Sequence, residues 1–300
     1  MFPGQGSQSP QIGVAWRAHP SWDVVEEASD ATGVDVGRLL CDADADELLD
    51  TANAQLSTYV VSVMIGRALG AAGVEPQHVA GHSLGEYSAL TVGGWLPLAD
   101  GARLVNSRGL AMRDASAAIP GTMAAVIGLE PDALVTLCGS VDGDVWVAND
   151  NAPGQVVIAG SAAAIETVGA LAREGGARSP IALKVAGAFH TPFMASAQEG
   201  LDLALARTSF TRGWATPWAN VDAAAHDDAG EWPGLLSAQL CSVVRWRELV
   251  MGLAEAGVGQ VVEVGPGAVL SGMLKRIAPG LGRQQCSTPE QTEAVATQLR

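Results

Sequence analysis

The chain has 300 residues, of which 48% are hydrophobic, so it can bury a large core in one big domain or two smaller ones. Its formal net charge of −15, from 17 basic and 32 acidic residues, argues against nucleic acid and anionic membranes as partners. No uninterrupted apolar run of about 18 residues occurs, so no membrane span is predicted.

The opening residues and the cysteines indicate the cellular compartment in which the protein is expected. MFPGQGSQ has neither the charged region nor the apolar stretch of a secretory signal. The cysteines are widely spaced and contain no CxxC pair; they are Cys41, Cys138, Cys241 and Cys286. We therefore expect a cytoplasmic protein with inert thiols, without a disulfide framework or a metal site.

The first predicted elements surround a Gly-x-Ser-x-Gly sequence. HVAGHS reads as an apolar strand that enters a turn, and LGEYSALTVGGW reads as the helix that follows. The next segment, LADGARLVNSRGLAMRDA, has apolar residues at helical spacing. The residues expected to share its broad apolar face are Ala102, Val105, Leu110 and Met112.

The middle of the chain has its own alternating pattern of predicted strands and helices. TMAAVIGL and GQVVIAG are strand-like, and SAAAIETVGALAREGG reads as a capped helix that ends at glycine. IALKVAGAF follows as a further apolar strand. Residues 120–186 therefore alternate as strand, helix, strand, strand, helix, strand, which predicts a small α+β insert in a larger domain.

The last third returns to longer elements. A helix is expected from about Met194 to Ala206, and a single helix through LLSAQLCSVVRWRELVMGLAEAG. QVVEVG then reads as a strand and GAVLSGMLKRI as a helix, before a polar terminal helix or tail. This alternation indicates an α/β fold with a mostly parallel sheet.

Ser83 lies in the sequence GHSLG, between an apolar strand and a helix. Such a turn lifts a serine hydroxyl above a sheet edge, and its glycines provide the unusual backbone angles and the space. The helix that begins there directs backbone N–H groups toward a developing oxyanion. The context favours a nucleophile over a serine that merely packs.

A nucleophilic serine needs a base, and five histidines are available. His19 and His226 read as exposed, His78 lies at the wrong end of its strand, and His82 diverges from its neighbour Ser83 and reads as a supporting residue. His190 remains, at the C-terminal end of an apolar strand, where ligands bind in open α/β sheets.

A third catalytic member is not evident. The hydrolase order Ser, Asp or Glu, His leaves several aspartates between Ser83 and His190, and none follows an apolar strand. They are Asp100, Asp114, Asp142, Asp144 and Asp150. We therefore expect a dyad in which a backbone carbonyl orients the imidazole.

With these residues placed, six collinear segments resemble one family over nearly the whole chain. They are FPGQGSQ, GHSLGEYSAL, SRGLAMRDA, NAPGQVVIAG, GAFHTPFM and VEVGPGAVLSGMLKRI, and they resemble malonyl-CoA:acyl carrier protein transacylases, including polyketide synthase acyltransferase domains. The resemblance implies an α/β-hydrolase-like large subdomain (1–119 and 187–300) with an inserted ferredoxin-like small subdomain (120–186).

The resemblance also implies roles for individual residues. Ser83 matches the acylated nucleophile, His190 its general base, and Arg108 the arginine that pairs with the malonyl carboxylate. A guanidinium suits this task because its two parallel donors fit a carboxylate; the alternative for Arg108 is a solvated helix arginine. Gln5 and the Leu84 N–H match the oxyanion donors, although Gln5 could simply cap a turn. Further pocket or supporting positions are Gln55, His82, Asn151 and the segment around Arg245.

The chain departs from the family pattern at three positions. Val244 and Leu56 stand where the family has proline, and Arg245 replaces the glutamine of bacterial enzymes. If the carbonyl of residue 245 orients His190, the side-chain change should matter little. Alternatively, this second guanidinium helps to hold an anionic substrate.

The resemblance implies malonyl-CoA as substrate, no bound cofactor, and as partner an acyl carrier protein that carries phosphopantetheine. GHSLGE and GAFH are similar to malonyl-selective members, and Phe189 would crowd a methyl branch. A free-standing enzyme is expected to be a monomer. Docking an acidic carrier needs a local basic surface; the candidates are Lys275 and Arg276 with Arg178 or Lys184, which could equally be scattered solvated charges.

Other functions remain open at this point. An α/β-hydrolase-type esterase or thioesterase could use the same Ser83 and His190. A noncatalytic carrier-binding module is disfavoured because both reactive residues are present. A malonate decarboxylase transferase subunit shares the motifs, and the chain could be a fatty acid enzyme, a discrete polyketide acyltransferase or an excised domain.

Overall fold

A computed structural model describes residues 1–299 of the chain. Its strands are β1 His78–Ala80, β2 Thr122–Ile127, β3 Val145–Ala152, β4 Gln155–Gly160, β5 Ile181–Ala182, β6 Thr216–Trp218, β7 Gln260–Val264 and β8 Gly282–Cys286. Its α-helices are α1 Asp23–Thr32, α2 Val36–Cys41, α3 Thr51–Ala71, α4 Gly85–Val92, α5 Leu98–Ala118, α6 Pro131–Ser140, α7 Ala162–Glu174, α8 Ala195–Leu205, α9 Trp232–Gln239, α10 Trp246–Glu255, α11 Val269–Ile277 and α12 Pro289–Leu299.

The central layer is a parallel sheet. β1 pairs with β6 and β7 pairs with β8, both in parallel. The first two residues lie between these pairs, since the Phe2 N–H donates to the Ala80 carbonyl and the Val264 N–H donates to the Met1 carbonyl, at 2.9 and 2.8 Å. The order β6, β1, residues 1–2, β7, β8 confirms the expected parallel sheet in a mixed α/β fold.

The longest helices, α3 and α5, pack on each other beside this layer. α3 begins at Asp50, whose side chain accepts the Ala52 and Asn53 N–H groups, and it is buried along most of its length. On α5 the expected apolar face is right except at Leu110, which is 37% exposed. At about 100° per residue, eight positions rotate Leu110 about 80° past Ala102, away from the buried side.

The second sheet is antiparallel, in the order β3, β4, β2, β5. Together with α6 and α7 it forms an apolar cluster of its own, which includes Val126, Leu134, Ile158 and Val168. The strand expected over IALKVAGAF is wrong beyond Ala182, because the chain then leaves the sheet and Gly187 packs directly against the Ser116 hydroxyl on α5.

The single helix expected over residues 235–257 is also wrong. α9 ends at Gln239 and α10 begins at Trp246. Between them Val244 joins β3 through two backbone hydrogen bonds, to the Ala148 carbonyl and from the Asp150 N–H, at 2.9 and 3.0 Å. A residue whose N–H and C=O are both used by a strand cannot also continue a helix. No helix within residues 1–299 is long and apolar enough to cross a bilayer.

Candidate active site

Ser83 lies on a sharp turn between β1 and α4, at the carboxyl end of the central strand. Its backbone φ is 51°, in the left-handed region that residues other than glycine rarely adopt. Glycine is required on both sides, because a Cβ at Gly81 would overlap the Gly85 carbonyl and one at Gly85 would overlap the Phe2 carbonyl. The turn therefore has the predicted strand–turn–helix form.

His190 is the histidine that reaches Ser83. Its Nε2 lies 2.8 Å from the Ser83 Oγ, and its Nδ1 lies 2.9 Å from the Gln239 carbonyl oxygen. A carbonyl accepts only, so Nδ1 carries the proton and the Nε2 lone pair faces the serine hydroxyl. In the described part of the chain no carboxylate hydrogen-bonds to this imidazole, and a backbone carbonyl contacts its Nδ1, as the sequence predicted for a Ser83–His190 dyad.

Two parts of the reasoning about this base were wrong. His190 does not end a strand; it lies in an irregular segment before the 3-10 helix Pro192–Met194, with a φ of 61°. The orienting carbonyl belongs to Gln239 and not to residue 245. Arg245 instead directly precedes α10 and forms an ion pair with Glu248, so its guanidinium is not at Ser83.

The excluded histidines have local partners. His19 and His226 are half-buried, not exposed as expected. The His19 Nδ1 accepts the Ser21 N–H at 3.1 Å, and His226 lies between the carboxylates of Asp222 and Glu231 at 2.9 and 2.7 Å. Neither forms a hydrogen bond to Ser83 in the described residues.

Arg108, on α5, enters the same site and is 1% exposed. Its Nη2 donates to the Ser83 Oγ at 3.1 Å and to the Gln239 Oε1 at 3.0 Å, and its Nη1 donates to the Gln55 Oε1 at 2.6 Å. Its carbon Cζ lies 5.6 Å from the centre of the Tyr87 ring. No carboxylate of residues 1–299 forms an ion pair with Arg108, and its Nε has no partner there. The solvated alternative for Arg108 is therefore wrong.

Burial sets the protonation of the dyad. It lowers the pKa of His190 to about 3, with a further lowering from the nearby Arg108 charge. Burial also lowers the pKa of Arg108 from its ordinary value. The imidazole is consequently neutral at physiological pH and available as a base.

The predicted oxyanion donors are Gln5 and the backbone N–H of Leu84, the residue after Ser83. Leu84 is buried and precedes α4, and Gln5 is half-buried in the loop after Phe2. Neither backbone N–H donates to another group among the described residues. The Gln5 side chain accepts from the Gln55 Nε2 at 3.4 Å. Both amides are therefore available to a bound group.

The other predicted residues support the site from outside. The His82 Nε2 lies 2.7 Å from the Asn151 Oδ1 on β3, and burial lowers the pKa of His82. The His82 ring also meets the Trp246 ring edge-on, 5.5 Å between centres. Phe189, next to His190, is 5% exposed. These contacts connect the serine turn to the antiparallel sheet and to α10.

Three residues of the site were missed. Gln239 contacts Ser83, His190 and Arg108, and Asn220 accepts the Ser83 N–H at 2.7 Å. Glu86 accepts hydrogen bonds from both Gln239 and Asn220. The signal for Asn220 was a polar residue just after the strand β6; Gln239 was hidden within one long expected helix.

A separate cavity of about 1060 Å³ lies at the other end of the central strands, lined by Met1, β1, β7 and the end of α3. Its lining contains none of Ser83, Arg108 and His190. Among residues 1–299 no group of three or more His, Cys, Asp or Glu side chains is arranged to hold a metal ion.

Comparisons with known proteins agree on one family. The pattern of the acyl transferase domain matches residues 1–287. A malonyl CoA-acyl carrier protein transacylase of Bacillus subtilis is 35% identical over 305 residues, covering 100% of this chain and 96% of the relative. An acyl-carrier-protein S-malonyltransferase of Burkholderia pseudomallei superposes with a TM-score of 0.94 at 38% identity, covering 99% of this chain and 98% of that one. A malonyl-transacylase solved in complex with a type II polyketide synthase acyl carrier protein gives a TM-score of 0.94 at 34% identity, covering 100% and 98%.

Proposed function

The chain belongs to the acyl transferase domain family, and on this premise we propose that it transfers a malonyl group from malonyl-CoA to the phosphopantetheine thiol of an acyl carrier protein. The relatives reported above are named for malonyl transfer, and one was solved with a carrier protein. None of them supports the esterase or thioesterase alternative.

The observation that carries this proposal is the buried guanidinium of Arg108, 3.1 Å from the Ser83 hydroxyl and without a carboxylate partner in the described residues. An unpaired buried charge is costly, so a ligand that brings a carboxylate to this position is favoured. An acyl group with a second carboxylate, such as malonyl, meets this demand, whereas acetyl leaves the charge unpaired.

The first half of the reaction makes an acyl-enzyme. The Ser83 Oγ attacks the thioester carbon of malonyl-CoA while the His190 Nε2 takes the hydroxyl proton. The N–H groups of Gln5 and Leu84 stabilise the oxyanion that forms on the former carbonyl oxygen. The carbon–sulfur bond then breaks, His190 returns the proton to the departing sulfur, and CoA leaves malonyl-Ser83.

The second half runs in reverse with a different thiol. His190 takes the proton of the phosphopantetheine thiol, the sulfur attacks the malonyl-serine ester, and the proton returns to the Ser83 Oγ as the ester bond breaks. Arg108 holds the malonyl carboxylate throughout. We propose that the carrier protein docks on the basic residues near α11. The Arg276 guanidinium donates to the Gln155 side chain and to the Pro153 carbonyl, and so connects α11 to the antiparallel sheet.

Selectivity at the acyl carbon is proposed to involve Phe189. Its buried ring is adjacent to His190 in the chain, where a methyl branch on the malonyl group would be crowded. One methyl group changes binding by about 1–3 kcal/mol, so some transfer of methylmalonyl is expected.

We also propose that residues 120–186 form a ferredoxin-like subdomain inserted into an α/β-hydrolase-like one, residues 1–119 and 187–300. The order β2, α6, β3, β4, α7, β5, the sheet order β3, β4, β2, β5 and the separate apolar cluster support this division. Because β3 carries Asn151, the insert forms one wall beside the serine turn.

A mass measurement tests the function. The protein is mixed with malonyl-, methylmalonyl- or acetyl-CoA, and the mass added to Ser83 is read before and after addition of a phosphopantetheinylated carrier protein. We expect a malonyl adduct that moves to the carrier faster than it is lost to water. An adduct that water removes faster than the carrier, or equal labelling by acetyl-CoA, would contradict the proposal.

A further inference from the structure

Glu86 is a buried carboxyl group just behind the serine turn that the proposed reaction does not use. It lies on α4, three residues after Ser83, and is 1% exposed. Its Oε2 accepts two hydrogen bonds, from the Gln239 Nε2 at 2.8 Å and from the Asn220 backbone N–H at 3.2 Å. Its Oε1 has no partner among the described residues. A buried carboxyl group in this position needs a reason.

The Gln239 amide shows what Glu86 does. Its Nε2 donates to the Ser83 carbonyl at 2.9 Å and to Glu86, while its Oε1 accepts from the Arg108 Nη2 at 3.0 Å. If the amide were flipped, its NH₂ group would face the guanidinium, donor against donor, and its oxygen would face the Ser83 carbonyl. Glu86 offers an acceptor on the side where Nε2 lies, and so favours the orientation that holds Arg108.

Glu86 also supports the serine turn through Asn220. The Asn220 Oδ1 accepts the Ser83 N–H at 2.7 Å, and its Nδ2 donates to the Gly81 carbonyl at 2.8 Å. Since the Asn220 backbone N–H donates to Glu86, one carboxyl group connects both residues that contact the turn.

The protonation state of Glu86 fits this role. Burial raises its pKa to about 8, while the bonds from Gln239 and Asn220 and the charge of Arg108 oppose the rise. Asp222 is the other charged group that acts on it. A neutral carboxyl group accepts the two hydrogen bonds without neutralising Arg108, so the guanidinium charge stays available for a ligand.

We propose that Glu86 is a positioning residue for malonyl transfer: by fixing the Gln239 amide it directs the Arg108 guanidinium at the carboxylate of the bound malonyl group. This inference rests on the proposed function. It predicts that Glu86 governs the preference for malonyl over acetyl, because only the malonyl group uses Arg108.

The test compares Glu86→Leu, Glu86→Asp and Glu86→Gln in the full chain. Glutamine mimics the neutral acid and keeps an oxygen acceptor, whereas leucine removes the acceptor. Aspartate keeps a polar group but moves the acceptor away from Gln239, so it serves as the test if the leucine variant does not fold. Ser88→Ala is the matched control, since this buried hydroxyl on α4 has no hydrogen-bond partner in the described residues. The measured quantity is the single-turnover rate constant for Ser83 acylation by malonyl-CoA and by acetyl-CoA.

For Glu86→Leu and Glu86→Asp we expect the malonyl-to-acetyl ratio of these rate constants to fall about tenfold or more, since a misplaced charged hydrogen bond changes rates by such a factor. For Glu86→Gln and Ser88→Ala the ratio should stay within about threefold. An equal loss of both rates in Glu86→Asp, or a glutamine variant that behaves as the aspartate variant does, would overturn the inference. If the wild-type protein forms no malonyl-Ser83, the proposed function fails instead.

Discussion

Ser83 and His190, 107 positions apart, both adopt left-handed backbone conformations, with φ of 51° and 61°, and their side chains meet at 2.8 Å. Each such conformation costs of order 1–3 kcal/mol outside glycine, so the surrounding structure must hold it. Asn220 and Gln239 do so, through hydrogen bonds to the backbone of Ser83 and to the imidazole of His190. Backbone strain concentrated at the two reactive residues points to function.

Replacing the base should slow acylation while leaving binding intact. In His190→Ala the Ser83 hydroxyl loses its proton acceptor, and a general base contributes about 10²–10⁴-fold to such a step. We expect the rate of malonyl-Ser83 formation to decrease by a factor in that range. Intact-mass measurement in single-turnover mixing follows this rate. His19→Ala is the control, since His19 caps a 3-10 helix; similar rates in the two variants would remove His190 from the mechanism.

Replacing Arg108 should change which acyl group is accepted. In Arg108→Gln the site keeps a polar side chain but loses the buried charge that is expected to bind the malonyl carboxylate. Loss of one partner of a buried charge pair costs about 2–5 kcal/mol, so malonyl-CoA acylation should fall by about 30-fold or more. Acetyl-CoA acylation should change little. The two rate constants, measured side by side, check this.

The matched control is Arg103→Gln, an exposed arginine on the same helix that pairs with Asp100. Its substitution should leave both rate constants within about twofold, as surface changes usually do. If Arg103→Gln and Arg108→Gln altered the malonyl rate to the same extent, general charge attraction would explain the preference and not a specific contact.

The lowered pKa of His190 predicts an unusual pH profile. Its pKa of about 3 keeps the imidazole neutral far below the ordinary value of 6.5. The rate of Ser83 acylation should therefore stay nearly constant from pH 7 down to pH 5, whereas an ordinary histidine would lose most of its base form over this range. A rate at pH 5 more than tenfold below that at pH 7 would contradict the burial of this base.

The same shift affects stability. The unfolded chain binds a proton at His190 near pH 6.5, and the folded chain does so only near pH 3. Between these values the unfolded state binds more protons, so the free energy of unfolding falls as the pH is lowered from 6.5. Each pH unit in this range lowers the free energy of unfolding by about 1.4 kcal/mol. Urea titrations at pH 7 and 5 should therefore show a smaller loss of stability in His190→Ala than in wild type.

Much of the site was accessible from the sequence, because its central residues are placed by local patterns. GHSLG between a strand and a helix predicted the turn at Ser83, and elimination among five histidines identified His190. The structure places His190 at 2.8 Å from the Ser83 Oγ although the strand thought to carry it is absent. The histidine is brought to Ser83 by its irregular segment and not by the end of a strand.

The residues that were missed depend on contacts between distant segments. Gln239 lies 153 positions from Glu86, and Asn220 lies 137 positions from Ser83. The pairing of Val244 with β3 ends α9 at Gln239 and so exposes the carbonyl that His190 needs. Helical periodicity in residues 235–257 cannot reveal this pairing, because its partner strand comes about ninety residues earlier.

The predicted role of the Arg245 side chain in substrate binding can be tested directly. The sequence suggested that its guanidinium helps to hold an anionic substrate, but the side chain pairs with Glu248 at the start of α10. Arg245→Gln should therefore keep kcat and KM for malonyl-CoA within about twofold of wild type. A KM that rises tenfold with kcat unchanged would restore Arg245 to the substrate site.

The close packing of the serine turn predicts a strong effect of a single methyl group. In Gly81→Ala the new Cβ would overlap the Gly85 carbonyl, and backbone atoms cannot move aside without distorting the turn. We expect a loss of about 3 kcal/mol or more in the free energy of unfolding, and a Tm lower by at least about 5 °C.

Gly139→Ala provides the contrast, because a Cβ there, near the end of α6, meets nothing within 4 Å. That variant should be as stable as wild type or more stable by about 0.5–1 kcal/mol. Equal melting temperatures for the two variants in calorimetry would show that the turn yields to a side chain at position 81, and the tight geometry behind Ser83 would then not hold.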